Sequence, residues 1–120
     1  MGATESTRDF VHVDDVVRAI CAVIARESAK YDVFNIGTGR ATSIGDVLRI
    51  LLKAAGDRRP VVQDKDLLRV YDHLSLTSDI SKIAQVLNWR PAVSLEEGLF
   101  RLVGDMPLAT LRSQDSLLQP

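Results

Sequence analysis

Apolar residues recur at helical spacing in four stretches of the chain. Val16, Val17, Ile20, Val23 and Ile24 share one helix face, with Arg18 and Arg26 off that stripe. Asp14 or Asp15 suits the N-cap of this helix, since a carboxylate there accepts orphan amide hydrogen bonds and meets the positive end of the dipole. Ile44, Val47, Leu48, Leu51 and Ala55 define a second helix, opened by Ser43 and stopped by Gly56. Ile80, Ile83, Ala84 and Leu87 predict a third, starting near Ser78 or Asp79 and ended by Pro91 before the tail of the stretch can continue. Leu95, Leu99, Leu102 and Val103 predict a fourth, terminated by Pro107. Ahead of it, Ser94-Leu95-Glu96-Glu97 is a capping-box pattern, in which the serine hydroxyl accepts from the amide three residues on and the glutamate returns the bond.

Between these helices lie shorter apolar runs. Phe10 to Val13 alternates too briefly to settle its type, and its Phe and Val residues favour a short strand. Tyr31 to Ile36 reads as a strand that stops where Gly37 and Gly39 let the backbone turn. Pro60-Val61-Val62 admits an edge strand, because proline is tolerated at a strand's start. Residues 63–77 have no clear period. Strands alternating with helices give an α/β fold class. Residues 1–7 are a polar lead-in, 8–106 the folded part and 107–120 a frayed tail.

Composition narrows the field. The chain has 120 residues and a mass of 13.2 kDa, enough for one small domain or a piece of a larger one. Apolar residues at 46% and charged residues at 26% are ordinary for a globular protein and argue against disorder. Fifteen Lys and Arg against sixteen Asp and Glu leave a net charge of -1, so no bulk field draws nucleic acid or an anionic membrane. Cys21 is the one cysteine, which excludes an internal disulfide and a cysteine-built zinc cage; its place in the first helix predicts a buried, inert thiol. No apolar run approaches the roughly 20 residues of a membrane helix, and the expected compartment is the reducing cytoplasm.

The side chains with chemistry to offer are few. Gly37-Thr38-Gly39 invites a phosphate-cradle reading, but position 42 is Thr42 where a dinucleotide fingerprint needs glycine, and structural punctuation is the expected role. His12 and His73 lack metal-ligand spacing and are read as packed or exposed polar tips, so no metal site is expected. Capping accounts for Asp14 and Asp15 without chemistry. Arg8 stands directly before an apolar run that can hold it still, and its guanidinium fork suits phosphate. Arg69-Val70-Tyr71-Asp72 sets a cation, an aromatic ring and a carboxylate close together, a set suited to phosphate, base or a ribose diol.

Several of these stretches, taken in order, resemble the carboxy-terminal part of the NAD-dependent epimerase/dehydratase family, the extended short-chain dehydrogenase/reductases that remodel nucleotide sugars. Arg8 to Val17 is similar to the family's Arg-Asp-aromatic-x-x-Val-x-Asp segment. Val33 to Gly39 with Ser43 and Val47, then Ser78 to Pro91, then Ser94 to Leu99, resemble the elements that follow, so the likeness covers about residues 7–104. It implies a partial Rossmann-type edge of one helix and one strand, joined to a small, mostly helical substrate-binding subdomain. It also implies substrate-binding roles for Arg8 on the diphosphate of a nucleotide sugar, Arg69 on phosphate and Asp72 on ribose. Val70-Tyr71 departs from the Pro-Gly of many relatives.

The family's glycine-rich fingerprint and catalytic Tyr-x-x-x-Lys do not occur in this sequence: Tyr31 is followed four residues on by Asn35, and Tyr71 by Ser75. The resemblance therefore implies a chain with no catalytic residue and no cofactor bound by itself, NAD(P) belonging to the complete family enzyme. Its expected partners are a nucleotide diphosphate sugar and either a Rossmann half or a second copy meeting its exposed apolar surface. A truncated product, a split half and an excised fragment all fit that reading. The competing readings are a stand-alone interaction module that has lost ligand binding and, more remotely, an independent enzyme using His12 or His73.

Overall fold

The computed structural model describes residues 4–27, 31–67 and 75–106. Along them run β1 (Thr7–Asp9), α1 (Val13–Ile24), β2 (Ala41–Ser43), α2 (Ile44–Ala55), a 3-10 turn (Lys65–Leu67), α3 (Ser81–Leu87) and α4 (Leu95–Asp105). The two strands pair antiparallel, with Thr7 opposite Ser43, Arg8 opposite Thr42 and Asp9 opposite Ala41. The chain before β1 continues past the start of α2: Ile44 N–H donates to Ser6 O at 3.0 Å and Gly45 N–H to Thr4 O at 2.8 Å. Two amides that a helix N-terminus leaves without intrahelical partners are thereby satisfied.

Helix α2 begins and ends where the sequence predicts. Ser43 accepts from Asp46 N–H at 3.0 Å, and Gly56 closes the helix in the left-handed region at φ 65°. Helix α4 opens on Ser94, whose hydroxyl accepts from Glu97 N–H at 3.1 Å. The Glu97 carboxylate bonds Arg101 one turn on, so the return bond of the predicted capping box gives way to a charged pair. Helix α3 is shorter than predicted at both ends. Asp79 accepts from Ser81 N–H at 3.0 Å ahead of it, and Asn88 at φ 51° stops it before Pro91 is reached.

Helix α1 departs most from expectation. Its N-cap is His12, whose Nδ1 accepts from Asp14 N–H at 3.1 Å, in place of either aspartate. The His12 ring packs against α4 at Gly98, where an added Cβ would come within 2.8 Å of it. Asp15 is fully buried, and Ala19 is the buried apolar residue of the helix. The apolar stripe lies largely outward, with Val13 at 65%, Val17 at 51%, Ile20 at 48% and Ile24 at 77% exposure, and Cys21 is exposed beside it. The predicted buried thiol is thus corrected: among the described residues nothing covers the face that carries it.

Asp15 explains the orientation of α1. Its carboxylate accepts from Ala92 N–H at 3.1 Å, Val93 N–H at 3.0 Å and Arg18 at 2.5 Å. Its backbone carbonyl accepts from the Trp89 indole at 3.1 Å. The same Arg18 donates to Arg90 O at 2.9 Å. The turn between α3 and α4 is therefore bolted to α1, and Ala19, Ile83 and Trp89 form a small core there, flanked by Phe34, Ile36, Ile80 and Leu87.

None of the three predicted strands forms where the sequence places it. Phe10 to His12 is the connection from β1 into α1, the strand itself starting three residues earlier, at Thr7. Residues 31–36 and 60–62 carry no ladder, because a strand exists only with a partner and none runs beside them among the described residues. The first of these segments is held by charge: Asp32 bonds Arg26 at 3.0 Å and also Lys82, which lowers its pKa to about 2. Both cations sit over the Phe34 ring, at 5.5 and 5.0 Å.

Replacing Asp15 by alanine leaves two part-buried amides and the Arg18 guanidinium without their shared acceptor. The expected loss is about 3 kcal/mol of unfolding free energy. It is read as a lower midpoint in urea unfolding of Asp15→Ala against the parent chain.

Candidate functional site

The centre of the candidate site is β1, where Arg8 and Asp9 are adjacent. Asp9 is half-buried and takes the role of an internal anion. It accepts from Thr38 N–H at 2.9 Å, Gly39 N–H at 2.9 Å and Ser78 N–H at 3.1 Å, and from the Thr38 hydroxyl. Burial pushes its pKa up, and the hydrogen bonds from Thr38, Ser78 and Gly39 together outweigh this and leave it below its ordinary value. The amides of the glycine turn are thus aimed at a carboxylate of the same chain. The turn has the punctuating role the sequence predicts, with Gly39 at φ 76°, and it offers no vacant cradle to a dinucleotide pyrophosphate.

On Arg8, Nη1 donates to Thr7 O at 2.8 Å, which steers the guanidinium along the strand edge. The side chain lines a cleft of about 400 Å³ together with Asp9, Asn35 and residues 76–79. That far wall is pinned to β1 at three points. Thr7 Oγ1 donates to Ser75 Oγ at 2.7 Å, Leu76 N–H to Thr7 O at 3.3 Å, and Ser78 N–H to Asp9. An arginine held against a fixed wall is a grip for a phosphate or carboxylate.

Arg69, Asp72 and His73 lie outside the described residues. His12 is an N-cap packed on α4. Among the described residues, no three His, Cys, Asp or Glu side chains come together as a metal site. A larger cleft, about 500 Å³, opens between the starts of α2 and α4. Arg40 and Arg49 on its walls face Asp46 and Glu96, and Asp46 already pairs with Arg49 at 2.8 Å, so its charges cancel.

Sequence reasoning missed the role of Asp9 and gave Asp15 only a capping role, where the structure has it accept from Ala92, Val93 and Arg18. A signal was present: aspartate is depleted in strands, and one placed between Arg8 and Phe10 beside apolar residues needs donors from elsewhere. The donors themselves lie in distant loops that no local pattern identifies.

Comparison with known proteins agrees with this architecture. A family model described as GDP-mannose 4,6 dehydratase matches residues 1–102. The dTDP-L-rhamnose 4-epimerase of Burkholderia thailandensis is 42% identical over 96 residues, which are 80% of this chain and 26% of that protein. A putative UDP-glucose 4-epimerase of Methanocaldococcus jannaschii is 35% identical over 109 residues, 88% of this chain and 32% of its own length. Among solved structures, the UDP-glucose 4-epimerase of Thermotoga maritima with UDP-glucose superposes at a TM-score of 0.80, with 38% identity, covering 93% of this chain and 35% of the other. MoeE5 in complex with UDP-glucuronic acid and NAD gives 0.77 at 32% identity, covering 93% and 36%.

These are α/β proteins that act on nucleotide sugars, and the chain shares their fold over almost its whole described length. It belongs to the NAD-dependent epimerase/dehydratase family. It spans about a quarter to a third of the length of the curated relatives it matches.

The two aspartates set an acid limit to stability. For Asp15, as for Asp9, burial raises the pKa and hydrogen bonds, led by Arg18 and followed by the Val93 and Ala92 amides, bring it below the ordinary 3.8. A folded pKa below the unfolded one adds stability that is present above pH 3.8 and is lost as pH falls through the folded value. Unfolding free energy measured in urea is expected to stay level down to about pH 5 and to fall steeply below pH 4. Asp9→Asn lowers the plateau and makes that fall shallower.

Proposed function

We propose that the chain is the nucleotide-sugar-binding portion of an NAD-dependent epimerase or dehydratase, with Arg8 on the diphosphate. The observation that carries this reading is the cleft beside Arg8, whose opposite wall is fastened to the strand that bears the arginine. Relatives that superpose on this chain hold UDP-glucose and UDP-glucuronic acid, which supports a ligand of that class. Arg69 on phosphate and Asp72 on ribose complete the proposed grip. Ser75, the next described residue after them, accepts from Thr7, the neighbour of Arg8.

The work assigned to this chain is binding and orientation. A charged diphosphate held at Arg8 fixes the far end of the substrate, and the binding energy there orients the sugar carbon at which the family's chemistry takes place. NAD supplies hydride transfer in the complete family enzyme. The one glycine turn among the described residues is closed by Asp9, so we assign no cofactor and no catalytic residue to this chain, and we expect it to be inactive alone. The outward apolar face of α1 supports a Rossmann portion as its partner. Among the described residues no helix is long and apolar enough to cross a membrane.

Calorimetric titration with a panel of nucleotide diphosphate sugars tests the proposal. Saturable binding is expected, weakened about tenfold or more by Arg8→Ala and by Arg69→Ala, as for loss of a charge-assisted contact. Silence with every ligand from a folded sample would favour an interaction module in its place. Turnover by the chain without a cofactor-binding portion would refute its inactivity.

A further inference from the structure

We propose that Asp9 is a positioning residue, a built-in anion that closes the receptor formed by the Thr38, Gly39 and Ser78 amides and so sets the width of the Arg8 cleft. The inference rests on the reading of Arg8 as a ligand grip and assigns the adjacent residue a separate task. Backbone amides converging on one point form a nest that binds an anion. In this chain they come from two segments, the turn at 38–39 and the wall at 78, and they converge with the Thr38 hydroxyl on one carboxylate. Without a negative charge between them, their dipoles repel and the two segments part.

The packing leaves no slack for a different arrangement. A Cβ on Gly37 would lie 2.5 Å from Ser78 Oγ and 2.7 Å from Asp9 Oδ2, so the turn and the wall already touch around the carboxylate. Ser78 also donates to Ile36 O at 3.4 Å. Ser78 is part of the wall facing Arg8, and Arg8 is the covalent neighbour of Asp9. One carboxylate therefore ties the wall to the arginine. Asparagine turns one acceptor oxygen into a donor aimed at a donor, and glutamate needs a methylene where Gly37 leaves no room.

Chemical rescue provides the test. Asp9→Ala opens a carboxylate-sized hole, and formate is expected to enter it while formamide is not. Formate titrated into Asp9→Ala should move the amide resonances of Thr38, Gly39 and Ser78 towards their parent positions in a saturable manner. UDP-glucose binding by the variant should be weaker by about tenfold to a hundredfold, the effect of losing one charge-assisted hydrogen bond, and formate should restore it.

No saturable shift with formate, equal rescue by formamide, or parent-like UDP-glucose affinity in the variant would overturn the proposal. So would a lowered unfolding midpoint with unchanged affinity of the folded protein, since that marks a merely structural carboxylate. If the parent chain binds no UDP-glucose, the ligand reading is what suffers, and the formate titration still decides the receptor. If Asp9→Ala does not fold, Asp9→Asn replaces it: displaced amide resonances across residues 76–79 and weakened UDP-glucose binding support the proposal, and parent-like values for both overturn it.

Discussion

A carboxylate removed from water must have its oxygens occupied, and this requirement organises the chain around the Arg8–Val17 stretch. Asp9 takes up amides from the 38–39 turn and from Ser78; Asp15 takes up amides from Ala92 and Val93 and the guanidinium of Arg18. Either group left unpaired in its position would cost several kcal/mol. Each loop gains partners for amides that belong to no helix or sheet. The apolar core that accompanies them is small, centred on Ala19, Ile83 and Trp89. Polar fastening thus does much of what a larger protein leaves to apolar burial.

The same fastening explains why α1 turns its apolar stripe away from the core. The buried Asp15 and the small Ala19 bring the helix close to the Trp89 indole, and the face with Val13, Val17, Ile20 and Ile24 is left outward. Segments 31–36 and 60–62 tell a related story, with strand-like sequence and no ladder. Each is an element built for burial or pairing that the described residues do not supply. Family members several times longer share the rest of the fold.

Binding, on the reading advanced above, grows out of this frame. Arg8 owes its fixed position to β1, and the wall across from it is held by bonds to the residues on either side of Arg8. The pair of neighbouring residues divides two tasks: one charge faces the ligand cleft, and the other is spent inside the protein. Placing both on a three-residue strand couples the stability of the loops to the shape of the cleft.

Helices α2 and α4 were legible in the chain because their limits are local: Ser43 and Ser94 cap adjacent amides, and Gly56 adopts a positive φ that most residues avoid. The glycine turn was legible for the same reason, glycine being a residue type with a narrow range of uses. The direction α1 faces, the ladder β1 joins, the exposure of Cys21 and the work of Asp9 and Asp15 were decided by tertiary structure. Periodicity states that a helix face is apolar and leaves open what will cover it. A carboxylate's donors, likewise, come from wherever the chain folds back, and for Asp15 they lie 77 and 78 residues away.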